Sequence, residues 1–276
     1  MSHKKPPEDA EFGRFADCAQ VLADAAAAKT IRWFRADFDV DSKSGDSKPG
    51  VQGRFDPVTI ADREAETAIR EKLAELFPEH GVFGEEFGSL NPDARFQWII
   101  DPIDGTAAFI MGWPMWGTLI GLTDQGRPVL GVMDQPYTGE RFWSTEAGAM
   151  WRGAQGQTRQ LKTRSCASLG DAVLSTTHPD YFSAEDRQSF DKIKVQAKTT
   201  RYGGDCYAYA MLAGGFSDVI VESGLNPYDV AALIPIVEMA GGVMTTWAGE
   251  DAVGGGNIVA AGDPRVHEAA VKLLTG

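Results

Sequence analysis

The chain has 276 residues, 43% of them hydrophobic, and a formal net charge of −13. That is enough apolar material for one large core or two closely packed halves, and 31 Gly with 14 Pro imply many turns rather than low complexity. The acidic balance argues against nucleic acid or an anionic membrane as a main partner, and with no run of 18 apolar residues and no apolar N-terminal segment, neither a membrane span nor a secretory signal is expected.

Residues 1–8 are expected to be disordered. Residues 9–35 read as an amphipathic, Ala-rich helix with Phe12, Phe15, Val21, Leu22, Ile31 and Phe34 as apolar points. Residues 36–57 form a polar, Gly-containing loop long enough to carry function. Thr59 reads as an N-cap, with Asp62 three residues on, before the helix "ADREAETAIREKLAELF", which stops at Pro78. "GVFGEEFG" reads as a short strand running into a loop, and "FQWIIDP" as a buried strand that breaks off at Asp101. Between Met115 and Met150, apolar stretches punctuated by "DQGRP" and "YTGE" predict consecutive antiparallel strands. Beyond about residue 150, "DAVLSTT", "KTTRY", "SDVIVES" and "GNIVAAG" read as strands. Between them "DCYAYAMLAGG", "NPYDVAALIPIVEMAGG" and "PRVHEAAVKLLTG" read as helices, a layered α/β arrangement. A soft boundary near residues 145–165 separates an α+β half, about 9–150, from an α/β half, about 151–276. The cysteines Cys18, Cys166 and Cys206 are odd in number and far apart, so a reducing, cytoplasmic setting is expected. The scattered His3, His80, His178 and His267 read as surface or loop residues.

Carboxylates stand at the edges of these elements. Asp56 opens "DPVTIAD", Glu85 and Glu86 sit in "GEEFG", Asp101 and Asp104 in "DPIDGT", and Asp229 in "NPYDVAA". Taken singly, each has a plain reading as a cap, a turn residue or a solvated charge. Taken together they are harder to dismiss. The buried strand delivers Asp101 at its end, Pro102 stiffens the following turn and helps aim Asp104 back to the same place, and "VFGEE" does the same from a neighbouring strand. Desolvating such ions costs on the order of several kcal/mol each, and no Lys or Arg lies inside these motifs to offset it. Hard divalent cations would, and Mg²⁺ prefers carboxylate oxygens at about 2.0–2.1 Å. Gly105 and Thr106 then open the short helix "TAAFI", whose first N–H groups can take phosphate oxygens. The two parts make a metal-dependent phosphate site, where two ions about 3.5–4 Å apart can activate a water and stabilise the leaving oxygen.

With these segments in order along nearly the whole chain, the sequence resembles the inositol monophosphatase superfamily of Mg²⁺-dependent, lithium-sensitive phosphatases. "DPVTIAD", "GEE", "WIIDPIDGT" and "YDVAA" are similar to its four motifs. The resemblance implies a single phosphatase domain over 9–276, an α-β-α-β-α sandwich, and two to three Mg²⁺ ions per site, with Mn²⁺ able to substitute. It implies that Glu85, Asp101 and the Ile103 carbonyl bind one metal and Asp101, Asp104 and Asp229 a second, with Glu85 and Asp56 helping to hold a weaker third. Thr106, backed by Asp56, would orient the attacking water, and the Gly105 and Thr106 amides would take the phosphate. It also points to a homodimer acting on a small phosphate ester. Lys43 or Lys48 is the counterpart of the family's loop lysine, and Ala107 and Ala108 stand where relatives often carry polar residues.

A narrower resemblance, through "RYGGDCYAYAMLAGG" and "SGLNPYDVAALIPIVEMAGG", is to the histidinol-phosphate phosphatase branch, which hydrolyses L-histidinol phosphate in histidine biosynthesis. Its substrate carries an amine and an imidazole, so a pocket for it should offer carboxylates beyond the metals. Asp205, at a helix start after two glycines, and Glu222, at the end of a strand, are the candidates. The plain alternatives are an N-cap for Asp205 and a surface charge for Glu222. Glu222 also aligns with the superfamily's substrate-contacting glutamate. Tyr207, Tyr209 and Tyr228 read as packing residues. The rivals are an inositol or sugar-alcohol phosphatase, a bisphosphate hydrolase, which would want more basic residues than Arg201, and an inactive binding protein, disfavoured because every motif residue is present.

Overall fold

A computed structural model describes residues 9–37, 40–42 and 57–276 of the chain. The expectations for residues 1–8, for Asp56, and for Lys43 and Lys48 lie outside the described residues. Helix α1 (Asp9–Trp33) leads to strands β1 (Val40–Ser42) and β2 (Pro57–Thr59), which pair antiparallel, so part of the stretch read as loop is strand. Helix α2 (Ile60–Leu76) starts as expected: the Thr59 hydroxyl accepts from Ala61 N–H, and Asp62 accepts from Thr59 N–H at 2.8 Å.

Eight strands then form one sheet: β3 (Gly81–Gly84), β4 (Gly88–Leu90), β5 (Phe96–Asp104), β6 (Gly117–Asp124), β7 (Arg127–Gln135), β8 (Glu140–Thr145), β9 (Gly148–Arg152) and β10 (Thr158–Gln160), in the order β10-β9-β8-β7-β6-β5-β3-β4. Helix α3 (Thr106–Ile110) interrupts them. A second sheet has the order β12-β11-β13-β15-β14, from β11 (Val173–Thr176), β12 (Thr199–Tyr202), β13 (Val219–Leu225), β14 (Val243–Thr246) and β15 (Gly256–Ala261). Its β11, β12 and β13 run parallel and the rest antiparallel. The helices are α4 (Ala184–Lys194), α5 (Asp205–Ala213), α6 (Pro227–Val230), α7 (Leu233–Met239) and α8 (Pro264–Thr275). The segment read as one helix over 226–242 is therefore two, and α4, β4, β10 and β14 were not anticipated.

Side-chain alternation along the strands sorts the core into layers. Ile120 and Leu122 of β6 face Phe15, Leu22, Ile69 and Leu73 of α1 and α2, while Leu119 faces the opposite way, onto α5 and α7. Ile220 and Ile258 of the second sheet also meet α5 and α7, whereas Val219, Val221 and Val259 face Phe190, Val266 and Leu274 of α4 and α8. The order is α-β-α-β-α. The cross-strand pair Gly121 and Gly131 leaves a dent in the first sheet. A Cβ on Gly131 would collide with the Ala232 carbonyl, and one on Gly121 would lie 2.9 Å from the Ala231 carbonyl carbon. The junction between α6 and α7 docks there, which carries α6 up to the edge of β5.

Two histidines depart from expectation. His80 is buried against Phe15, Phe77 and Phe96 and accepts from Trp98 Nε1 at 3.1 Å, and His267 is buried beside the Thr245 hydroxyl at 2.9 Å. A buried ion pair ties α1 to the first sheet: Arg141 donates to Asp134 at 2.6 Å and to Asp24 at 2.7 Å, with Arg141 and Asp134 only 3% and 4% exposed. Arg141→Ala is expected to lower the unfolding free energy by about 3–5 kcal/mol, because Asp134 stays buried without its cation. The check is a denaturant midpoint at unchanged m-value. Arg141→Met with Asp134→Leu should recover most of the loss, and a single variant with a wild-type midpoint would show the pair to be dispensable.

Candidate active site

The site begins at an irregularity in β5. The strand does not stop at Asp101; it continues to Asp104, pairing Asp101 with Leu119 and Asp104 with Gly117 of β6. Three steps on β5 match two on β6. Residues three apart on a regular strand face opposite sides, and the extra residue restores Asp104 to the side of Asp101. Pro102 therefore sits in a bulge rather than a turn, where its missing N–H removes no ladder bond. The Thr118 hydroxyl holds the Pro102 carbonyl at 2.8 Å, and Ile103 N–H donates to Asp101 Oδ1 at 3.0 Å.

Asp229 arrives from α6, where Asn226 N–H donates to its Oδ2 at 2.6 Å. One carboxylate oxygen from each of Asp101, Asp104 and Asp229 lies within 4.8 Å of the others. Glu85 follows β3, and its N–H donates to the Ile100 carbonyl at 3.2 Å, beside Asp101. Burial pushes Asp101 well above the usual carboxylate range, and Glu85, Asp104 and Asp229 push it further.

Gly105 has φ +87°, a left-handed turn residue, and α3 starts directly after it. The first bond of that turn runs from Phe109 N–H to the Gly105 carbonyl at 3.0 Å, so the Gly105 and Thr106 N–H groups precede the helical ladder. The Thr106 hydroxyl donates to the Ile103 carbonyl at 3.0 Å.

Asp205 and Glu222 extend the acidic row. Asp205 is not an N-cap: Gly204 occupies that position without a side-chain bond, and Asp205 itself has φ +43° at the start of α5. Its Cβ lies 3.2 Å from where a Cβ on Gly105 would stand, and the next N–H, of Cys206, donates to Asp104 Oδ2 at 2.7 Å. Nor is Glu222 a surface charge. It is 3% exposed, and accepts from Thr177 N–H at 2.7 Å, the Thr177 hydroxyl at 2.9 Å and the Thr176 hydroxyl at 3.1 Å. Burial and the Asp205 charge push Asp104 up to about 7, against the bond from Cys206. Burial and the Glu222 charge push Asp205 to about 7, and burial pushes Glu222 to about 7 despite its three donors. Among the described residues no Lys or Arg forms an ion pair with Asp101, Asp104, Asp205 or Glu222. Anionic oxygens this close, with no described cationic side chain paired to Asp101, Asp104, Asp205 or Glu222, suit a hard divalent cation.

Two buried carboxylates on α2 escaped the sequence reading as site residues. Asp62 caps the helix and is also buried, and Ala61 beside it shares a core cluster with Ile103 and Phe109, so this turn of α2 borders the Ile103–Thr106 segment. Glu66 binds the main chain of the Glu86–Phe87 turn. The available signal was two acids on the stripe Ala61, Asp62, Ala65, Glu66, Ile69 and Leu73.

Residues 14–275 match the inositol monophosphatase family. The chain is 40% identical to the bifunctional phosphatase IMPL2 of Arabidopsis thaliana, a chloroplastic protein, over 99% of this chain and 79% of that one. It is 33% identical to a histidinol-phosphatase of Mycobacterium tuberculosis, over 94% of this chain and 97% of that one. It superposes on an inositol monophosphatase from Zymomonas mobilis with a TM-score of 0.82 at 41% identity, over 96% of this chain and 99% of that one. A match over almost every residue places the chain in the inositol monophosphatase family, as a phosphatase of the hydrolase class.

Proposed function

We propose that this phosphatase is Mg²⁺-dependent and prefers L-histidinol phosphate, which it converts with water to L-histidinol and phosphate in histidine biosynthesis. The observation that carries the substrate is the acidic row Asp104, Asp205 and Glu222, in which each charge disfavours ionisation of another and no described cationic side chain relieves them. A substrate with an ammonium or imidazolium would. Histidinol-phosphatases among the relatives, such as that of Mycobacterium tuberculosis, support the same reading. The inositol monophosphatase of Zymomonas mobilis, at 41% identity, favours a second one, hydrolysis of an inositol monophosphate.

Glu85, Asp101, Asp104, Asp229 and the Ile103 carbonyl would hold the metal. When bound, Mg²⁺ neutralises phosphoryl charge and lowers the pKa of a water. The Gly105 and Thr106 N–H groups bind the phosphate oxygens. The Thr106 hydroxyl, with its proton committed to the Ile103 carbonyl, offers a lone pair that orients the incoming water. The water oxygen adds to phosphorus and gives up a proton, the bond from phosphorus to the alcohol oxygen breaks, and that oxygen takes up a proton to leave as the alcohol. Thr106→Ala is then expected to lower kcat about 10- to 100-fold while KM changes less than about twofold. A large rise in KM at constant kcat would place Thr106 in ground-state binding instead.

The test of the whole reading is phosphate release from histidinol phosphate, inositol 1-phosphate, a nucleotide 3′-phosphate and fructose 1,6-bisphosphate, with Mg²⁺ and with excess EDTA. Histidinol phosphate is expected to lead in kcat/KM by about tenfold or more, worth about 1.4 kcal/mol. A lead for inositol 1-phosphate would transfer the proposal to the second reading.

A further inference from the structure

Glu66 takes no part in the chemistry above, yet it is completely buried and fully engaged. Its Oε2 accepts from Glu86 N–H at 2.8 Å, and its Oε1 from Phe87 N–H at 3.3 Å and from Arg70 Nε at 2.7 Å. Arg70 also donates to the Gly88 carbonyl. Three consecutive residues after Glu85 are thus fastened to one turn of α2. The arrangement depends on Gly84, because a Cβ there would collide with the Glu66 carboxylate. On its other side Glu85 is fixed through its N–H to the Ile100 carbonyl of β5. Glu85 is the residue between these two anchors, and its carboxylate acts on Asp101. The Glu66 charge is matched by Arg70 and two N–H dipoles, so it fastens the turn without adding repulsion to the acidic cluster.

We propose that Glu66 is a positioning residue that sets the Glu85 carboxylate against Asp101 and so determines divalent-cation affinity on the Glu85 side of the site. This rests on the metal reading of the site. It assigns to α2 a part in catalysis exerted only through Glu85, and it gives the small residue at position 84 a reason in space rather than in backbone torsion.

The experiment is calorimetric titration of the substrate-free protein with Mg²⁺, and with Mn²⁺ where heats are small. Glu85→Gln identifies the binding step that belongs to Glu85. Glu66→Gln, nearly the same shape but without the charge, is expected to weaken that step about tenfold or more and to leave the other within about twofold. Gly84→Ala should do the same by pushing the carboxylate away, with no charge altered. Arg70→Gln, at the less buried partner, should give a smaller shift in the same step and keeps a folded chain in the comparison if the buried changes unfold it. At saturating Mg²⁺ the turnover of Glu66→Gln should return close to wild type. A fall in melting temperature with both steps unmoved, or an equal weakening of both, would overturn the proposal in favour of a purely structural Glu66. A wild type that binds no divalent cation would overturn the metal reading itself, and that arm is read before any variant.

Discussion

Asp101→Asn is expected to lower turnover by at least about 10⁴-fold and, in the same protein, to raise the stability of the metal-free form. Asp101 is the most heavily loaded carboxylate of the site, buried and pushed up by Glu85, Asp104 and Asp229 together. Its charge is what would hold cations on both sides of it, so the neutral amide should cost both. Without metal the same charge is a liability. The folded pKa of Asp101 lies well above its ordinary 3.8, and those of Asp104, Asp205 and Glu222 lie at about 7 against ordinary values of 3.8, 3.8 and 4.5. Between the ordinary and the folded values the native state binds more protons than the unfolded chain. Metal-free stability therefore falls as pH rises from about 4 to about 7, and beyond for Asp101. Saturating Mg²⁺ should reverse the trend, since the cation takes the place of the proton. His80 and His267, both lowered by burial, act the other way and lose stability as pH drops below 6.5. They are common to wild type and variant and cancel in the difference. The metal-free melting temperature of Asp101→Asn should thus exceed that of wild type, by more at pH 8 than at pH 5. Full wild-type turnover in excess EDTA, or a variant less stable than wild type at pH 8, would contradict this account of the cluster.

What the sequence made legible was local. The Thr59–Asp62 cap, the hairpins after Met115 and the pairing of Asp101 with Asp104 in "DPIDGT" follow from residues within a few positions of one another, whereas Asp229 joins these acids from α6, far along the chain. The bulge in β5 did not, because the side on which Asp104 emerges is decided by its partners on β6, Gly117 and Leu119, which nothing in "DPIDGT" specifies. The same holds for the dent at Gly121 and Gly131, which matters only because Ala231 and Ala232 dock there, some hundred positions away. Helix α4 was missed because "AEDRQSFDKIK" buries only Phe190 and Ile193, although Ser183 accepting from Asp186 N–H at 3.1 Å was a readable start. His80 was misplaced because spacing along the chain carries no information about an aromatic box closed by Phe15 and Trp98. For Asp205 and Glu222 the sequence alone allows both a plain reading and a pocket one. Burial removes the plain reading for Glu222, and the left-handed backbone of Asp205 removes it there.

Asp205→Asn is expected to lower kcat/KM for histidinol phosphate about 10- to 100-fold and to change that for inositol 1-phosphate by less than about threefold, from a charge-assisted bond of about 1.5–3 kcal/mol. On the proposed reading the metal cluster and the Gly105–Thr106 amides would accept any phosphate monoester, so discrimination has to come from the rest of the pocket. There Asp205 is the better placed of the two acids. It abuts Gly105 and is not bound to a described cation, whereas both oxygens of Glu222 are already committed to Thr176 and Thr177. Glu222 contributes field rather than contact, adding to the burial that pushes Asp205 up to about 7. Replacing it with Gln sets an amide group against the Thr177 donors, a cost of about 1–3 kcal/mol that falls on folding as well as on binding. The single Asp205→Asn variant is for that reason the cleaner probe, and adding Glu222→Gln should widen the loss of preference to about 100- to 1,000-fold. Hydrolysis of p-nitrophenyl phosphate, which has no cationic group to place, should persist in both. A substrate ratio unchanged in Asp205→Asn would remove the acidic row as the source of specificity and leave the family membership standing without it.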